Sequence, residues 1–185
     1  MLLGIEMDGR CLRIRDLEPP DEQGVFSLFE ACEDWFCHAL GQPAMPGDVQ
    51  SLYYSLPEGA EFENKAILVI EAEGRISGLI DAVREHPHPG ACSVGLFLMH
   101  PDCRRFGLGR AVASALIGSL AAGGCTEVLA SVAEGWRPGL KFLDALGFVA
   151  EAPHEAGPAN RNPGPGERPT VRARLRISAI SCPEP

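Results

Sequence analysis

Apolar and polar residues follow one another in short blocks along the chain, and the period of each block predicts its secondary structure. The stretch "RCLRIRD" (residues 10–16) alternates, which predicts a half-buried strand. Over residues 21–40 the apolar positions recur at helical spacing, which predicts an amphipathic helix. The following "QPAMPGDVQSLYYSLPEG" (residues 42–59) predicts a loop, a short helix and a stop.

The middle of the chain contains the clearest strand signals. Two apolar runs, 66–72 and 76–84, flank a short turn through Glu73 and Gly74 and predict a hairpin. The near-continuous apolar run "CSVGLFLMH" (residues 92–100) is typical of a strand buried on both faces. The remaining blocks predict, in order, a helix over about 108–123, a strand over 126–134, a helix over 138–146 and strands over 147–152 and 170–180.

This order of elements predicts the fold class. Three antiparallel strands followed by strand, helix and strand favour an α/β (α+β) fold with a mixed, mostly antiparallel central sheet and helices on both faces. A length of 185 residues fits a single domain spanning 1–185. The Pro/Gly-rich segment near the C-terminus, about 155–169, is expected to be a flexible loop.

Charge and cysteine content narrow the function classes. A formal net charge of −9 argues against nucleic-acid binding, which requires a basic face. Seven cysteines form an odd set without a CxxC pair, so neither a zinc site nor a disulfide framework is expected. The chain carries no apolar run long enough for a membrane span and begins without an export signal, so a cytoplasmic location and no membrane partner are expected.

The stretch "HPDCRRFGLGRAVASALI" (residues 100–117) places arginines around two glycines where a helix is predicted to begin. A helix N-terminus presents unpaired N–H groups and partial positive charge, and preceding glycines let a ligand approach the backbone. Together these features predict an anion cradle that suits a phosphate group. The Walker pattern GxxxxGK[ST] and the Rossmann pattern GxGxxG are both absent, so neither nucleotide site is expected.

The spacing Arg104-x-x-Gly107-x-Gly109, after an apolar strand, resembles the acyl-CoA pyrophosphate loop of the GCN5-related N-acetyltransferases (GNAT). "ISGLIDAV", "VGLFLMHPDCRRFGLGRAVASALI" and "LASVAEGWRPGLKFLDALGF" are similar to consecutive strands and helices of that family, and about 66–150 match in order and spacing. The resemblance implies a GNAT-like fold, acetyl-CoA as cosubstrate without a metal, and N-acetyltransferase activity. The acceptor would be a primary amine of a small molecule or protein that attacks the thioester directly.

The resemblance also assigns cofactor-binding residues. The backbone of residues 97–99 should run beside the pantetheine arm. The pyrophosphate should be bound by N–H groups from about 105 to 110, within the segment 104–110 that is called here the glycine loop. A core role for the side chains of Phe97 and Met99 is compatible, because the family uses their backbone. The residues expected to bind acetyl-CoA are Phe97, Leu98, Met99, Arg104, Arg105, Phe106, Gly107, Leu108, Gly109 and Arg110.

Three side chains are candidates for the base that deprotonates the amine. Asp81 lies mid-strand, where a carboxylate either lines a cavity or is paired, with Arg84 or Arg75 as the alternative partners. Glu134 follows a strand and would reach the cleft, unless it is a solvated loop acid. His86 titrates near neutrality, unless it is a surface histidine.

Two positions depart from the family pattern. Leu143 replaces the Tyr that serves many members as the acid, and Trp136 replaces the usual Asn. A thiol with a pKa of roughly 8.5 can leave without an acid near neutral pH. The departures nevertheless keep a second hypothesis open, an acyl-CoA-binding sensor or partner module without efficient transfer.

The acceptor site is expected around the first two helices and the end of the Asp81 strand. "DAVREHP" is similar to the family's Asp-x-x-Arg-x-Tyr-Pro, so Arg84 joins Trp35 and Tyr54 as predicted substrate-binding residues. An acidic, aromatic mouth for a cation and a solvated helix face remain alternatives for Glu30, Glu33, Asp34, Trp35, Tyr53 and Tyr54. The arginines Arg172, Arg174 and Arg176 are expected on a solvated edge strand, and binding of an acidic partner or of the 3′-phosphate of CoA is the alternative. Family members are commonly homodimers, so self-association is a further expectation.

Overall fold

The computed structural model describes residues 2–7, 9–151 and 166–177. Its strands are β1 (Leu2–Met7), β2 (Arg10–Asp16), β3 (Lys65–Ala72), β4 (Arg75–Arg84), β5 (Ala91–Met99), β6 (Glu127–Ala133), β7 (Val149–Ala150) and β8 (Thr170–Arg176). Its α-helices are α1 (Glu22–Ala31), α2 (Glu33–Leu40), α3 (Pro46–Tyr54), α4 (Leu108–Ala122) and α5 (Arg137–Ala145). Short 3₁₀ turns cover Pro19–Asp21, Phe62–Asn64 and Pro101–Cys103.

The described strands form one sheet of eight in the order β1-β2-β3-β4-β5-β6-β8-β7. All neighbouring pairs are antiparallel except β5 and β6, which run parallel. The parallel step follows from the α4 crossover between β5 and β6, because parallel strands need a long connection. The predicted mixed, mostly antiparallel sheet is confirmed.

Alternation along the central strands divides the core between the two faces of the sheet. Leu79 and Leu98 pack with α1, α2 and α3 on one face, called here the α1–α3 face. Ile80 and Met99 pack with α4 and β1 on the other, called the α4 face. Helices therefore cover both faces, as predicted, and the period of two assigns each central side chain to one layer.

Two predictions at the N-terminal side were wrong in detail. The order contains an additional strand, β1, whose Leu3, Ile5 and Met7 pack against the core on the α4 face. The single helix predicted over 21–40 is two helices, because Cys32 leaves helical geometry with φ −93° and ψ 26°. Apolar periodicity continues across this break, so the pattern alone did not locate it.

The C-terminal arginine strand is not the predicted edge. β8 lies between β6 and β7, and Arg174 forms ion pairs with Glu127 at 3.3 Å and Glu151 at 2.6 Å. The strand predicted over 147–152 is reduced to the two residues of β7. Most of the loop predicted over 155–169, and the end of the last predicted strand, lie outside the described residues. No helix within the described ranges is long and apolar enough to cross a membrane.

Candidate functional site

β5 and β6 pair at one end only. The parallel ladder pairs residues 91–94 of β5 with residues 127–130 of β6, and this part is called here the paired end. Beyond it, at the open end, the two strands are not hydrogen-bonded to each other. In β5 the change coincides with a bulge, since Asp81 of β4 faces Leu96 while the next β4 residue faces Val94. Gly95 is the extra residue, and a bulge bends its strand and increases its twist. The strands consequently diverge beyond Gly95, which leaves an opening between them.

The free edge of β5 presents backbone groups to this opening. The N–H of His100 donates to the carbonyl of Ser77 at 2.8 Å, so this residue directs its backbone toward β4. In an antiparallel ladder consecutive residues direct their backbone groups to opposite sides. The backbone N–H and C=O groups of Phe97 and Met99 therefore face the opening, whereas those of Leu98 face β4. Of the three residues predicted to line the pantetheine arm, two have their backbone groups at the free edge.

The glycine loop ends β5 and leads into α4. Arg105 and Gly107 adopt left-handed backbone conformations with φ of 69° and 76°, which turn the chain tightly before the helix. Gly107 is the N-cap, offers no side-chain cap, and the first turn of α4 contains no acidic residue. The first intrahelical bond runs from Ala111 N–H to the Gly107 carbonyl, so the preceding N–H groups have no acceptor within the helix. This end of α4 fits an anionic ligand.

Gly109 packs the start of α4 against the opening. A Cβ at this position would lie 3.4 Å from Met99 Cγ, 3.6 Å from Phe142 Cε2 and 3.8 Å from Phe97 Cε1. The Phe97 and Phe142 rings are themselves 5.1 Å apart at 37°. The aromatic pair joins β5 to α5 across the diverging strands, and a branched side chain at Gly109 would push into it.

The resemblance predicts that Arg104 adds its charge to the glycine loop, but its guanidinium group is instead directed toward α2. Its Nε donates to the Met99 carbonyl at 2.8 Å, and its NH1 pairs with Asp34 Oδ2 at 2.6 Å. Burial lowers the pKa of Arg104, but the hydrogen bonds that Arg104 donates to Asp34, together with the interactions of Arg104 with the Asp34 charge and with Cys32, outweigh burial and leave the pKa raised. The other predicted arginines of the loop, Arg105 and Arg110, are exposed.

Asp81 lies on the α1–α3 face beside the bulge and is paired with Lys65. Lys65 Nζ contacts Asp81 Oδ1 at 2.7 Å and Oδ2 at 2.9 Å, and it also donates to the Ser55 carbonyl at 2.8 Å. The side chains are 6% and 15% exposed, respectively. The partner is therefore neither Arg84 nor Arg75, the two that were considered. All three protons of the ammonium group are engaged, which fixes the position of the carboxylate.

Two opposing effects set the proton affinity of Asp81. Burial raises its pKa, because the charged form loses solvation, and the hydrogen bond and charge of Lys65 lower it again. Burial is the larger effect, so the pKa of Asp81 stays above its usual value. A carboxylate with a raised pKa is a stronger base than an exposed one.

The other two candidate bases lie apart from Asp81. His86 is buried beyond the end of β4, near the paired end of β5, where its carbonyl accepts from Ser93 Oγ at 3.0 Å. Burial lowers the pKa of His86 below its usual value. Glu134 is exposed just after β6, at the open end, and its carbonyl accepts a hydrogen bond from His38. Arg84 is exposed on β4 opposite Cys92, and strand alternation turns it to the face opposite Asp81.

The predicted acceptor aromatics differ in exposure. Trp35 is half-buried on α2, where its ring stands edge-on to Phe36 at 4.9 Å. Tyr54 is 78% exposed at the end of α3, next to the Ser55 carbonyl that binds Lys65. Tyr54 is thus close in the chain to the Asp81 pair, while Trp35 belongs to the layer that covers it.

The two departures from the family pattern have structural roles. Leu143 packs into a small core with Val128 and Phe148, so this position offers no hydroxyl group to the opening. Trp136 is the N-cap of α5, and its ring lies 5.2 Å from that of His38. Among the described residues, no cluster of His, Cys, Asp or Glu is arranged to hold a metal ion.

Sequence reasoning missed Lys65 and His38. Lys65 is one of only two lysines in the chain and begins a strand whose next five residues are apolar, a signal that its charge is compensated after folding. His38 carried no such signal, because its partners follow β6, almost a hundred residues later. Long-range partners of this kind become visible only in the folded chain.

Comparison with known proteins identifies the family and the fold. The model of the acetyltransferase (GNAT) family matches residues 29–148. The chain has no significant match among curated proteins. Among solved structures it is similar to an acetyltransferase from Thermus thermophilus (TM-score 0.69, 19% identity, covering 90% of this chain and 97% of that one). It is also similar to the ribosomal-protein-S18-alanine N-acetyltransferase from Escherichia coli (TM-score 0.62, 15% identity, 92% and 98% covered).

A third similar structure is an acetyltransferase from Salmonella typhimurium (TM-score 0.69, 12% identity, 90% and 95% covered). Identities this low support the fold alone, but the family model spans more than half of the chain. It covers all of β4, β5 and β6, the glycine loop and α5. The chain therefore belongs to the acetyltransferase (GNAT) family.

Proposed function

We propose that this protein transfers the acetyl group of acetyl-CoA to a primary amine. The observation that carries the proposal is the opening between β5 and β6, which has backbone groups along one edge and an uncapped helix N-terminus at its mouth. An extended amide-containing arm with a pyrophosphate at one end matches both features. The arm would pair with the β5 edge as another strand does, and the pyrophosphate would accept from N–H groups of α4.

The free β5 edge would also serve the reaction itself. The N–H groups of Phe97 and Met99 face the opening, and one of them would donate to the thioester oxygen as negative charge develops there. Backbone donors are held rigidly by the sheet, so they need little reorganisation during the reaction. Leu98 is assigned no such donor role, because its N–H faces β4.

Asp81 is the residue that supports base catalysis best. Its carboxylate is held at the bulge where the strands begin to separate, and burial strengthens it as a base. A cationic amine must lose a proton before it can attack, and Asp81 would accept that proton directly or through one water. Glu134, at the open end, remains a second candidate, whereas His86 lies beyond the paired end.

The layer that covers Asp81 favours a cationic acceptor. Between residues 17 and 64 the sequence contains ten acidic residues and no Lys or Arg. These residues form α1, α2, α3 and their connections, so the negative field of the chain is concentrated on this layer. The similar structures named above include a ribosomal-protein-S18-alanine N-acetyltransferase and an acetyltransferase that modifies the N-terminal serine of a 50S ribosomal subunit protein. A protein amine and a small cationic amine are both compatible with such a layer.

An acyl-CoA-binding module without efficient transfer is the second candidate. Two observations favour it: Leu143 is packed into a core where many family members have a Tyr, and Asp81 is tied to Lys65. Neither prevents transfer, because a CoA thiol is an adequate leaving group near neutral pH and each carboxylate oxygen retains a second lone pair.

The deciding experiment is acetyl-CoA binding by calorimetry followed by thiol release with a panel of amines. Binding together with amine-dependent release supports the transferase. Binding without release from any amine, including lysine-containing peptides, polyamines and protein N-terminal peptides, supports the binding module. An absence of binding overturns both.

A further inference from the structure

Helix α2 crosses the opening between β5 and β6 and is attached at both sides. Its N-terminal turn contacts the end of β5, and its C-terminal turn contacts the segment that follows β6. The two strands have no hydrogen bonds to each other in this region. The width of the opening is therefore determined by elements other than the sheet itself.

The N-terminal attachment is built around Arg104. Its NH2 lies 3.3 Å from both Cys32 Sγ and Asp34 Oδ1, in addition to the NH1 contact with Asp34 and the Nε contact with Met99. Cys32 Sγ also donates to the Met99 carbonyl at 3.6 Å. The guanidinium group thus joins the last residue of β5 to the junction of α1 and α2.

This arrangement leaves Arg104 little capacity for a ligand. A guanidinium group has five N–H donors, and the contacts with Met99, Cys32 and Asp34 occupy four of them. Binding a phosphate through this side chain would require it to leave a bidentate carboxylate. Arg104 is therefore better placed to hold the loop in position than to bind the pyrophosphate.

The C-terminal attachment is built around His38. Its Nε2 donates to the Glu134 carbonyl at 3.0 Å, and its ring lies 5.2 Å from that of Trp136. Arg168, which precedes β8, donates from its N–H to the Ala39 carbonyl and from Nε to the His38 carbonyl, both at 2.9 Å. These bonds satisfy carbonyl groups that a helix C-terminus leaves without partners.

We propose that α2 is a brace that fixes the separation of β5 and β6, with Asp34 and His38 as positioning residues for acetyl-CoA. The two side chains are one turn apart, about 6 Å along the helix axis, and lie on the same face. Because α2 is a rigid element, anchoring both residues fixes the end of β5 relative to the end of β6. The inference rests on the proposed binding of acetyl-CoA in this opening.

The brace and a direct electrostatic role for Arg104 predict opposite effects of removing Asp34. If Arg104 binds phosphate, Asp34→Ala frees the guanidinium and removes a negative charge, so acetyl-CoA binds more tightly. If α2 is a brace, the same change releases β5 and the glycine loop, so acetyl-CoA binds more weakly. The expected loss is about tenfold in affinity, within the range observed for residues that couple distant parts of a site.

The experiment measures acetyl-CoA affinity by calorimetry for the wild type, Asp34→Ala, His38→Leu and the double variant. A brace requires both attachments, so the double variant should bind no more than about twofold more weakly than the weaker single variant. Two unrelated local defects would multiply to about 100-fold. His38→Gln, which keeps a donor for the Glu134 carbonyl, should recover most of the affinity lost in His38→Leu.

Glu22→Ala is the charge-matched control, because it removes an exposed acid from α1, in the same layer, and should change affinity less than twofold. Thermal unfolding of each variant identifies any that fail to fold. Unchanged or tighter binding by both Asp34→Ala and His38→Leu, or fully multiplicative losses, would overturn the brace while leaving acetyl-CoA binding intact. A folded wild type that does not bind acetyl-CoA would instead overturn the proposed function, and the brace with it.

Discussion

The two ends of β5 are built differently. From Ala91 to Val94 the strand is hydrogen-bonded on both sides, and charged side chains surround this paired end. Glu127 contacts His88 at 2.7 Å and Arg174 at 3.3 Å, and Arg174 continues to Glu151. From Gly95 onward one edge of β5 has no strand partner among the described residues, and the neighbouring features are backbone N–H groups, a bulge and glycines.

This difference separates stability from ligand binding. At the paired end, the side chains satisfy one another, so they hold the sheet together and have little to offer a ligand. At the open end, polar backbone groups are left for a ligand to satisfy, and the chain keeps them in place through bulge, loop and brace. Substitutions at the two ends should therefore change different measured quantities.

The largest effect is expected for Asp81→Asn, at the point where the two ends meet. Loss of the base should lower kcat by about 1,000-fold, while the affinity for acetyl-CoA stays within twofold. Steady-state rates with the best amine, together with calorimetry, measure the two quantities. Asp144→Asn, an exposed acid on α5, is the matched control. An unchanged kcat in Asp81→Asn would remove Asp81 as the base.

Gly109→Val should weaken acetyl-CoA binding by about 100-fold, because the added methyl groups push toward Met99 and Phe142. Gly118→Val is the matched control on the same helix, since a Cβ at Gly118 meets nothing within 4 Å. Calorimetry on both variants tests whether the glycine loop carries the binding. Equal affinities of the two variants would contradict the position assigned to the cofactor.

Lys65→Met should shift the pH dependence of the reaction. Lys65 lowers the pKa of Asp81 against the effect of burial, so its removal raises that pKa further. A base works only when deprotonated, and the acidic limb of the kcat/KM profile should therefore move to higher pH. The control is Lys141→Met, which changes the other lysine of the chain. A purely structural role for Lys65 would lower activity without moving the limb.

Arg174→Ala should show the reverse behaviour at the paired end. It leaves Glu151, whose side chain is 7% exposed, without its ion pair. Because Arg174 is itself partly solvated, the expected loss is about 1 kcal/mol of unfolding free energy, or ~3 °C in Tm. Acetyl-CoA affinity should stay within twofold. A large loss of affinity would mean that the two ends are not separable.

The smallest effects concern His86 and His88, beside the paired end. Burial lowers the pKa of His86, so its contribution to stability is lost as pH falls below about 6.5. The Pro89 carbonyl and Glu127 raise the pKa of His88, so its contribution is present below about 6.5 and lost as pH rises through the folded-state pKa. The measurement is the difference between Tm at pH 5 and Tm at pH 8. Relative to the wild type, Tm at pH 5 should rise against Tm at pH 8 in His86→Gln and fall against it in His88→Gln, in each case by less than about 2 °C.

The glycine loop shows how far local sequence can lead. Gly107 and Gly109 follow an apolar strand and begin a helix, and this order alone predicted an anion cradle at the carboxyl end of β5. The positive φ of Gly107 and the start of α4 at Leu108 agree with this pattern, because such conformations are set within a few residues, while the binding of an anion stays a prediction. The local pattern did not reveal the partner of Arg104, because Asp34 lies seventy positions away.

The sequence by itself determined the period of each strand, the hairpin, the family and the loop that offers N–H groups, since these depend on neighbours in the chain. The tertiary structure decided which charges are paired: Asp81 with Lys65, Arg104 with Asp34, and Arg174 with two carboxylates. It also decided that α2 spans the opening. Ion pairs and braces form between residues distant in sequence, and their partners are chosen by the register of the sheet and the packing of helices upon it.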